Sequence, residues 1–422
     1  MMSIFITTLV LILPLYIFTQ ETCPKEYLRF TPEHSFCKPP NPSCQFVVKG
    51  MISKEKSREI VEIHNRLRNK IAVGEETLAG GLPTASDMLA FSWDNELAQI
   101  AQKWIEQCLF DHDCPECRAT RKFAVGQNVG YTWDPCTGNC DSVEPNWEER
   151  INSFYSEVQY FRREFVDAVA YPGPDTTTHF TQIAWAKTYR IGCGYVAFKE
   201  VNFGIDGIKQ LYVCNYGPKG NTQEQPLYIQ GSPCAKCPIN SCCGSSCKGK
   251  RQQKYPGLCF LSNEAPIYPP KPDLLYSCGF QKDDRNCEFD SEGDGKWSVV
   301  RNIGGNFLTV VVQSGKTAIA RFRNVIKVKK DSCMNLYVKK GPDTFGERDN
   351  SNLEIEIEHN GRKDLNTVWT YPWADYIKSS INVDYDGDIK ISLKMTVPAD
   401  ATAQFLEIKL IEITKEPCKW GK

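Results

Sequence analysis

Apolar residues recur at helical spacing in three stretches of the first half of the chain. The first stretch runs from Ser57 to Lys70, and its inward face is formed by Ile60, His64, Leu67 and Ile71. The side chain of His64 is therefore expected to point inward or along a cleft.

Two further helices follow the first. Asp94 is a residue type that caps helices, and it precedes the apolar stripe Leu97, Ile100, Trp104 and Cys108. A third helix is predicted from Trp147 to Phe161, with Glu157 at the edge of an inward stripe formed by Ile151, Phe154 and Val158.

Two β-rich runs complete the first half of the chain. They extend from Ile191 to Phe198 and from Gln210 to Tyr216, and a glycine-containing loop between them fits an antiparallel pair. Three helices with a small antiparallel sheet predict an α+β sandwich.

The pattern changes twice after residue 230. Residues 231–272 are rich in Cys, Pro, Gly and Ser and have too few aliphatic side chains for a core, so crosslinks are expected to hold this segment together. Period-two alternation then predicts an all-β, jelly-roll-like sandwich. Its expected strands are Trp297–Val312, Thr317–Lys329, Leu353–Ile357, Ile389–Val397 and Phe405–Ile413.

One acidic segment lies between two of these strands. Asp384, Asp386 and Asp388 alternate around Gly387 and offer hard oxygen ligands of the kind that Ca²⁺ requires. An Asp-Gly pair is also a strong hairpin signal, and we expect a hairpin turn here.

The chain begins with an apolar run from Ile4 to Phe18. The run is too short for a membrane span and suits a signal peptide over residues 1–20, although no Lys or Arg precedes it and an uncleaved anchor stays open. Later residues contain no candidate membrane span. We therefore expect a secreted, extracellular protein with domains at 21–230, 231–272 and 273–422.

Charge and cysteine content narrow the possible classes of protein further. The 50 Lys and Arg residues against 51 Asp and Glu give a net charge of -1, which provides no field for nucleic acid. The 20 cysteines fall into blocks of ten from Cys23 to Cys214, six from Cys234 to Cys259 and four from Cys278 to Cys418. An even and dense set in a secreted chain predicts disulfides that pair within each block.

Two motifs carry a family resemblance. The segment His179-Phe180-Thr181-Gln182-Ile183-Ala184-Trp185 and the segment 212–221, with sequence YVCNYGPKGN, resemble the signatures of the CAP family. This family comprises cysteine-rich secretory proteins, venom antigen 5 and plant pathogenesis-related proteins. The remaining elements occur in family order: His64-Asn65-x-x-Arg68, Trp93-Asp94-x-x-Leu97 and Gly126-Gln127-Asn128-Val129.

The resemblance is finer in places. The GQNV motif and the residues Gln107-Cys108 ahead of Asp111-His112-Asp113 are most similar to the corresponding segments of the antigen 5 branch. Residues 231–247 resemble the hinge that follows the CAP domain in cysteine-rich secretory proteins. The segment from Cys278 to Trp297, with a last strand at Phe405–Ile413, resembles a MAM-type jelly roll.

The resemblance implies a cleft where two histidines and two acidic residues meet. The matching positions are His64, Gln127, Glu157 and His179, with an amide at Gln127 in place of the second carboxylate. His64, His179 and Glu157 together could hold Zn²⁺ or another divalent cation weakly, and no cofactor is required. A purely structural hydrogen-bonded cluster is the alternative.

Cys114-x-x-Cys117 and Cys136-x-x-x-Cys140 have the spacing of a zinc ribbon, but an oxidising compartment favours disulfides over metal. The family resemblance implies a disulfide between Cys193 and Cys214.

Three functional hypotheses follow from this resemblance and from the added β domain. The leading one is a secreted, non-enzymatic binding protein for a small lipid or sterol, or for an extracellular protein or receptor. The second is an adhesion or interaction factor that acts through the C-terminal β domain. A divalent-cation-dependent hydrolase ranks last, because the chain contains neither HExxH nor GxSxG.

Overall fold

The fold was analysed in a computed structural model of the chain. The structure describes residues 23–78, 80–138, 140–169, 177–222, 225–262, 265–268, 273–282, 284–302, 305–344, 346–368 and 376–418. The signal peptide expected over residues 1–20 lies outside this range.

The first domain alternates helices with strands. Its elements are α1 (Lys25–Leu28), β1 (Phe46–Val48), α2 (Lys54–Ala72), β2 (Ser92–Trp93), α3 (Asn95–Ile105), β3 (Gly126–Pro135), α4 (Trp147–Tyr155), α5 (Thr178–Ala184), β4 (Arg190–Asn202) and β5 (Ile205–Gly217). Short 3₁₀ turns occur at Ser35–Cys37, Glu116–Arg118, Ser156–Tyr160 and Arg163–Phe165.

Helices cover both faces of the first sheet. Its strand order is β1-β4-β5-β3, with β2 parallel to β4, so β3 is an edge strand. One face packs on α2, α4 and α5 through residues such as Ile60, Trp147 and Phe180. The other face packs on α3 through Ala101 and Ile105. The α-β-α sandwich is confirmed.

Capping explains where two of the three predicted helices begin. The Ser53 hydroxyl accepts from the Lys56 amide at the start of α2, and the Asp94 carboxylate accepts from the amides of Glu96 and Leu97 at the start of α3. The third predicted helix was too long as a single α-helix. It changes to a 3₁₀ helix at Ser156, and Glu157 lies in that tighter turn.

The hinge is held by disulfides, as the composition predicted. It contains β6 (Ser241–Cys243), α6 (Lys250–Gln253) and β7 (Cys259–Leu261). Its three bridges are Cys234–Cys243, Cys237–Cys259 and Cys242–Cys247. All ten disulfides of the chain pair within their sequence blocks, including Cys193–Cys214 across β4 and β5.

The C-terminal domain is a sandwich of two antiparallel sheets. Its strands are β8 (Leu274–Cys278), β9 (Phe289–Gly293), β10 (Ser298–Asn302), β11 (Gly305–Val312), β12 (Thr317–Phe322), β13 (Ile326–Val328), β14 (Ser332–Pro342), β15 (Asn352–His359), β16 (Arg362–Thr367), β17 (Ile377–Val383), β18 (Gly387–Thr396) and β19 (Gln404–Thr414). A 3₁₀ turn occurs at Arg285–Cys287, and another at Gly244–Ser246 belongs to the hinge.

The two sheets enclose one core. The first has the order β10-β11-β19-β14-β17 with β8 beside β19, and the second has the order β16-β15-β18-β12-β9 with β13 beside β18. Leu336 and Ile408 of the first sheet and Ile355 and Leu393 of the second belong to one buried cluster. The all-β sandwich is confirmed, and its MAM-type kinship stays a prediction.

Two strand predictions and one turn prediction in this domain need correction. The run Trp297–Val312 is a hairpin of β10 and β11, because one strand of that length exceeds the usual size of about 3–10 residues. The run Thr317–Lys329 is interrupted, and both parts pair with β18. The Asp384–Asp388 segment is not a hairpin turn, since β17 pairs with β14 while β18 pairs with β15 in the opposite sheet.

Candidate functional site

Two histidines are anchored to adjacent residues of the edge strand β3. The ring of His112 contacts the side chain of Gln127, and the backbone carbonyl of His179 accepts a hydrogen bond from Asn128. The two histidines are therefore held at neighbouring positions of one edge strand. We call the group His112, Gln127, Glu157 and His179 the histidine cleft.

The Glu157 carboxylate fixes His179 at the start of α5. Its Oε1 accepts from His179 Nδ1 at 2.6 Å, and its Oε2 accepts from the backbone amides of His179 and Phe180 at 2.9 and 3.1 Å. The Phe154 ring stacks on the imidazole at 4.8 Å between centroids. A carboxylate only accepts hydrogen bonds, so His179 carries its proton on Nδ1.

A buried carboxylate determines the orientation of His112 through an amide. Asp113 accepts from Gln127 Nε2 at 3.0 Å, from Arg118 at 2.6 Å and from the Ser35 hydroxyl at 2.5 Å. The Gln127 amide nitrogen therefore faces Asp113, and its Oε1 faces His112 Nδ1 at 2.8 Å. That oxygen is an acceptor, so His112 also carries its proton on Nδ1.

Both imidazoles consequently present Nε2 as the atom with a lone pair. A histidine whose Nδ1 proton is held by a second group is the usual arrangement for metal coordination through Nε2, because the second group orients the ring. Both rings are accessible: His112 is exposed, and His179 is partly exposed. The donor chemistry therefore fits a borderline cation such as Zn²⁺.

The structure places His64 in the core and not in the histidine cleft. Its ring is 0% exposed, Nδ1 lies 2.8 Å from the Ile60 carbonyl, and Nε2 lies 3.1 Å from the Tyr216 hydroxyl. The carbonyl must accept, so Nδ1 donates to it and Nε2 accepts from Tyr216. Burial lowers the pKa of His64 to about 4.

A chain of hydrogen bonds connects His64 to the backbone of His179. The Tyr216 hydroxyl that donates to His64 accepts from Asn128 Nδ2 at 3.3 Å, and the same amide donates to the His179 carbonyl at 3.1 Å. The role of His64 as a cleft and metal ligand is therefore corrected to a structural one. The cleft histidine that the sequence interpretation missed is His112. The sequence feature that could have indicated it is a histidine between two acidic residues, Asp111 and Asp113, in the loop after α3.

The three-ligand metal set predicted from His64, His179 and Glu157 is not assembled. Within the described ranges, the metal-type donors that cluster in threes are Cys234, Cys237 and Cys259, and these are disulfide-bonded. Both oxygens of Glu157 are engaged in orienting His179. His112 and His179 are the two imidazoles that remain available as ligands, and an ion held by both would complete its shell with water.

Exposed apolar side chains occur shortly before His112 in the chain and on strand β3. Leu109, Phe110 and Tyr131 are 52, 49 and 45% exposed. The rings of Phe110 and Tyr131 pack at 4.4 Å, and the Lys209 ammonium lies 5.3 Å from the Tyr131 ring. Adjacent exposed apolar side chains of this kind mark a surface suited to contact with another molecule.

A family profile matches the first domain, and two related proteins match nearly the whole chain. The profile of the CAP family, described as the cysteine-rich secretory protein family, matches residues 61–216. Venom allergen 5 of Tityus serrulatus is 36% identical over 400 residues, which is 94% of this chain and 94% of that protein. The CRISP/Allergen/PR-1 protein of Trittame loki is 35% identical and covers 94% of this chain and 95% of its own length.

Among solved structures, BmVAL-1 is similar with a TM-score of 0.39 and 28% identity, covering 50% of this chain and 97% of its own. The matches to these two relatives extend over residues of the hinge and of the C-terminal domain. The identity over nearly the full length shows that the chain belongs to the CAP family of cysteine-rich secretory proteins.

Proposed function

We propose that this chain is a secreted, non-enzymatic binding protein whose histidine cleft holds a divalent cation of the Zn²⁺ type. The observation that carries the proposal is the fixed orientation of both rings, with Nδ1 of His112 tied to Gln127 and Nδ1 of His179 tied to Glu157. Two open Nε2 atoms are the protein ligands, and the small number of ligands makes the site weak.

The same residues argue against hydrolysis. The oriented imidazole of His179 could serve as a general base, but in the described part of the chain no serine, threonine or cysteine side chain is hydrogen-bonded to its Nε2. Gln127 is an amide and cannot act as a base. Every cysteine is in a disulfide, so no thiolate nucleophile exists. The relatives named above are called allergens, which is consistent with binding as the activity.

Extracellular localisation is part of the proposal. Ten disulfides require an oxidising compartment, and the chain's relatives include a cysteine-rich venom protein of Tityus serrulatus that is 31% identical over 92% of this chain. No helix in the described part of the chain has the length and apolarity needed to cross a membrane.

Calorimetric titration with ZnCl₂ tests the cation site. The His112→Ala and His179→Ala variants each remove one ligand, so each is expected to weaken zinc binding by at least about tenfold. His359→Ala is the matched control, because His359 lies on β15 in the other domain and its change is expected to leave the affinity unaltered.

Two results would contradict the cation site. One is wild-type zinc affinity in both His112→Ala and His179→Ala, and the other is loss of binding in His359→Ala. Circular dichroism of each variant separates loss of a ligand from loss of the fold.

A protein partner is the second candidate, and the exposed side chains of Leu109, Phe110 and Tyr131 favour it. Leu109 and Phe110 lie shortly before His112 in the chain, so one partner surface could cover them and complete the shell of the bound cation. A pull-down experiment in the presence of zinc compares the amount of partner captured by the wild type with the amount captured by Phe110→Ser. Equal capture by both proteins would remove this surface from the proposal.

A further inference from the structure

The hairpin of β4 and β5 ends in a tip that carries three exposed apolar side chains. Val201, Phe203 and Ile205 are 63, 97 and 53% exposed. The strand pairing closes at Asn202 and Ile205, so Phe203 and Gly204 form a two-residue turn. We call residues 201–205 the apolar tip. Adjacent exposed apolar side chains mark a contact site, because a partner that covers them removes their surface from water.

Folding does not explain the phenyl ring at this turn. Phe203 and Gly204 have φ values of 50° and 77°, which is the left-handed conformation that a two-residue hairpin turn requires. Glycine and asparagine adopt this conformation readily, whereas a bulky residue rarely does. At 97% exposure, the Phe203 side chain gains almost no packing in return. A residue that breaks a local rule without a gain in packing points to a role in contact with another molecule.

The apolar tip projects beyond the rest of the first sheet. β1 pairs with β4 as far as Phe198, and β3 pairs with β5 as far as Gly207. Just beyond β3, the Cys136 amide donates to the Asp206 carbonyl at 2.8 Å and holds the base of the hairpin. From that base the tip extends about 7–10 Å further, at about 3.3 Å per residue. The apolar tip is therefore a protrusion on a fixed base.

Both faces of the apolar tip carry an apolar side chain. Directly paired residues point to the same face of a hairpin, and successive residues point to opposite faces. Val201 pairs with Asp206 and lies on one face, whereas Ile205 pairs with Asn202 and lies on the other. A flat partner surface would cover only one of these faces. A lipid layer surrounds an inserted protrusion on all sides and covers both.

The charges behind the apolar tip balance one another. Lys199 pairs with Asp141 at 3.0 Å, and Lys209 pairs with Glu200 at 3.0 Å. Between Lys199 and Lys209, the two lysines are matched by Glu200 and Asp206. The hairpin therefore has no excess positive charge to attract anionic lipids, and zwitterionic head groups match it better.

We propose that the apolar tip inserts into the interfacial layer of a zwitterionic phospholipid bilayer. Phe203 enters deepest, Val201 and Ile205 lie at the acyl boundary, and the charged pairs stay among the head groups. The length of the tip matches the depth of about 5–10 Å to which interfacial segments enter a bilayer. Anionic lipids are concentrated in the cytoplasmic leaflet, so a zwitterionic target fits the extracellular location proposed above. The tip shares no residue with the histidine cleft, and this contact needs no bound cation.

Co-sedimentation of the full chain with phosphatidylcholine vesicles, in the presence of EDTA, tests this contact. The wild type is expected to bind reversibly. Phe203→Asn keeps a residue type that tolerates the turn conformation, and Ile205→Thr keeps a β-branched residue in the strand. The partition coefficient should fall by about tenfold or more in Phe203→Asn and by about threefold to tenfold in Ile205→Thr, because each variant buries less apolar surface.

Two exposed side chains outside the apolar tip provide matched controls. Tyr160 is 64% exposed on a 3₁₀ turn of the first domain, and Leu365 is 56% exposed on β16 of the C-terminal domain. Tyr160→Asn and Leu365→Thr should keep wild-type partitioning. Adding phosphatidylserine to the vesicles should not strengthen binding, and raising the salt concentration should not release the protein. Circular dichroism verifies that each variant is folded.

The assignment is overturned if the wild type stays in solution with phosphatidylcholine vesicles, or if Phe203→Asn and Ile205→Thr partition as the wild type does. It is equally overturned if binding requires phosphatidylserine and is lost in salt, because charge would then account for it. Absence of vesicle binding, together with self-association that Phe203→Asn removes in analytical ultracentrifugation, would assign the tip to a second copy of the chain. Zinc binding by Phe203→Asn should equal that of the wild type, which keeps this result separate from the fate of the cation site.

Discussion

At the scale of single residues, Arg68 shows how a family motif serves the fold. Its guanidinium is buried, and its nitrogens donate to the backbone carbonyls of Leu89, Ile183, Trp185, Ala186 and Thr188. Burial lowers its pKa to about 9. The residue thus ties α2 to the segment before β2, to α5 and to the loop between α5 and β4.

Arg68→Ala is expected to destabilise the chain by more than about 3 kcal/mol, because several buried carbonyls lose their donor at once. Unfolding in guanidinium chloride with intact disulfides measures the change. Arg66→Ala is the matched control on the same helix, since Arg66 is exposed and pairs with Glu148, and it should cost under about 1 kcal/mol. Equal effects of the two variants would contradict this role.

Two buried histidines make stability depend on pH. Burial lowers the pKa of His34 and of His64 to about 4, whereas an unfolded histidine titrates near 6.5. Between pH 6.5 and 4 the unfolded chain binds protons that the native chain does not. Stability therefore falls as the pH falls through this window, by up to about 1.4 kcal/mol per pH unit for each histidine.

His34→Gln tests this dependence. His34 donates from Nε2 to the Ala119 carbonyl at 2.9 Å, a bond that a glutamine amide can replace without titrating. The free energy of unfolding between pH 6.5 and 4.5 should have a shallower slope in this variant. An unchanged slope in His34→Gln would refute the interpretation.

The site residues show the limit of sequence reasoning at this scale. Gln127 and His179 lie within family motifs, and the structure joins Glu157 to His179. That these residues form one binding cleft stays a prediction. His64 was assigned to the wrong place because helical spacing predicts that a residue lies on the inward face of the helix. It does not predict whether the side chain lies in a cleft or in the core. The contact between His112 and Gln127 joins positions 15 apart through a loop, and no periodic pattern encodes it.

At the scale of elements, the packing of α3 on the first sheet depends on glycines of β4. A Cβ atom on Gly192 would lie 2.2 Å from the Ala98 amide nitrogen and 2.5 Å from the Asp94 carbonyl oxygen. Both contacts are to backbone, which cannot rotate away. Gly194 faces α3 in the same manner at Gln102.

Gly192→Ala is therefore expected to push α3 off the sheet and to cost more than about 2 kcal/mol. Gly279→Ala is the control, because the atoms nearest to an added Cβ there are 3.8 Å away. Thermal unfolding of both variants measures the difference. A melting temperature for Gly192→Ala equal to that of Gly279→Ala would show that the helix adjusts without cost.

Burial alone does not decide which strands the sequence pattern identified. β19 is buried on both faces and was predicted as Phe405–Ile413, whereas β16 and β17 have exposed positions and were not predicted. Leu353–Ile357 alternates because β15 has one buried and one partly exposed face. β14 was missed because Asn335 and the pair Lys339-Lys340 interrupt its apolar pattern, although all three residues are buried. Lys340 is satisfied by Asp349 at 2.6 Å, and the Lys339 ammonium lies 4.8 Å from the Phe30 ring of the first domain.

At the scale of the whole molecule, one carboxylate joins the two domains. Glu407 of β19 is 0% exposed and accepts from Arg29 at 3.1 Å, from Arg121 at 3.4 Å and from the Tyr376 hydroxyl at 3.2 Å. The Arg29 guanidinium also lies 3.8 Å from the Phe405 ring. The N-terminal segment of the first domain is therefore packed on the outer face of the C-terminal sandwich.

Glu407→Gln removes the charge that balances two guanidinium groups and is expected to loosen this interface. Small-angle X-ray scattering should record a larger radius of gyration than in the wild type. Glu356→Gln is the matched control, since Glu356 pairs with Arg321 and Lys363 within the C-terminal domain. An unchanged radius in Glu407→Gln would mean that apolar contacts alone hold the domains together.

The cation site is the central functional claim, and anomalous diffraction tests it most directly. Crystals of the full chain soaked in zinc, with data collected at the zinc absorption edge, should give an anomalous difference peak within about 2.0–2.1 Å of Nε2 of both His112 and His179. Strong zinc peaks at other residues, with none at these two nitrogens, would contradict the account.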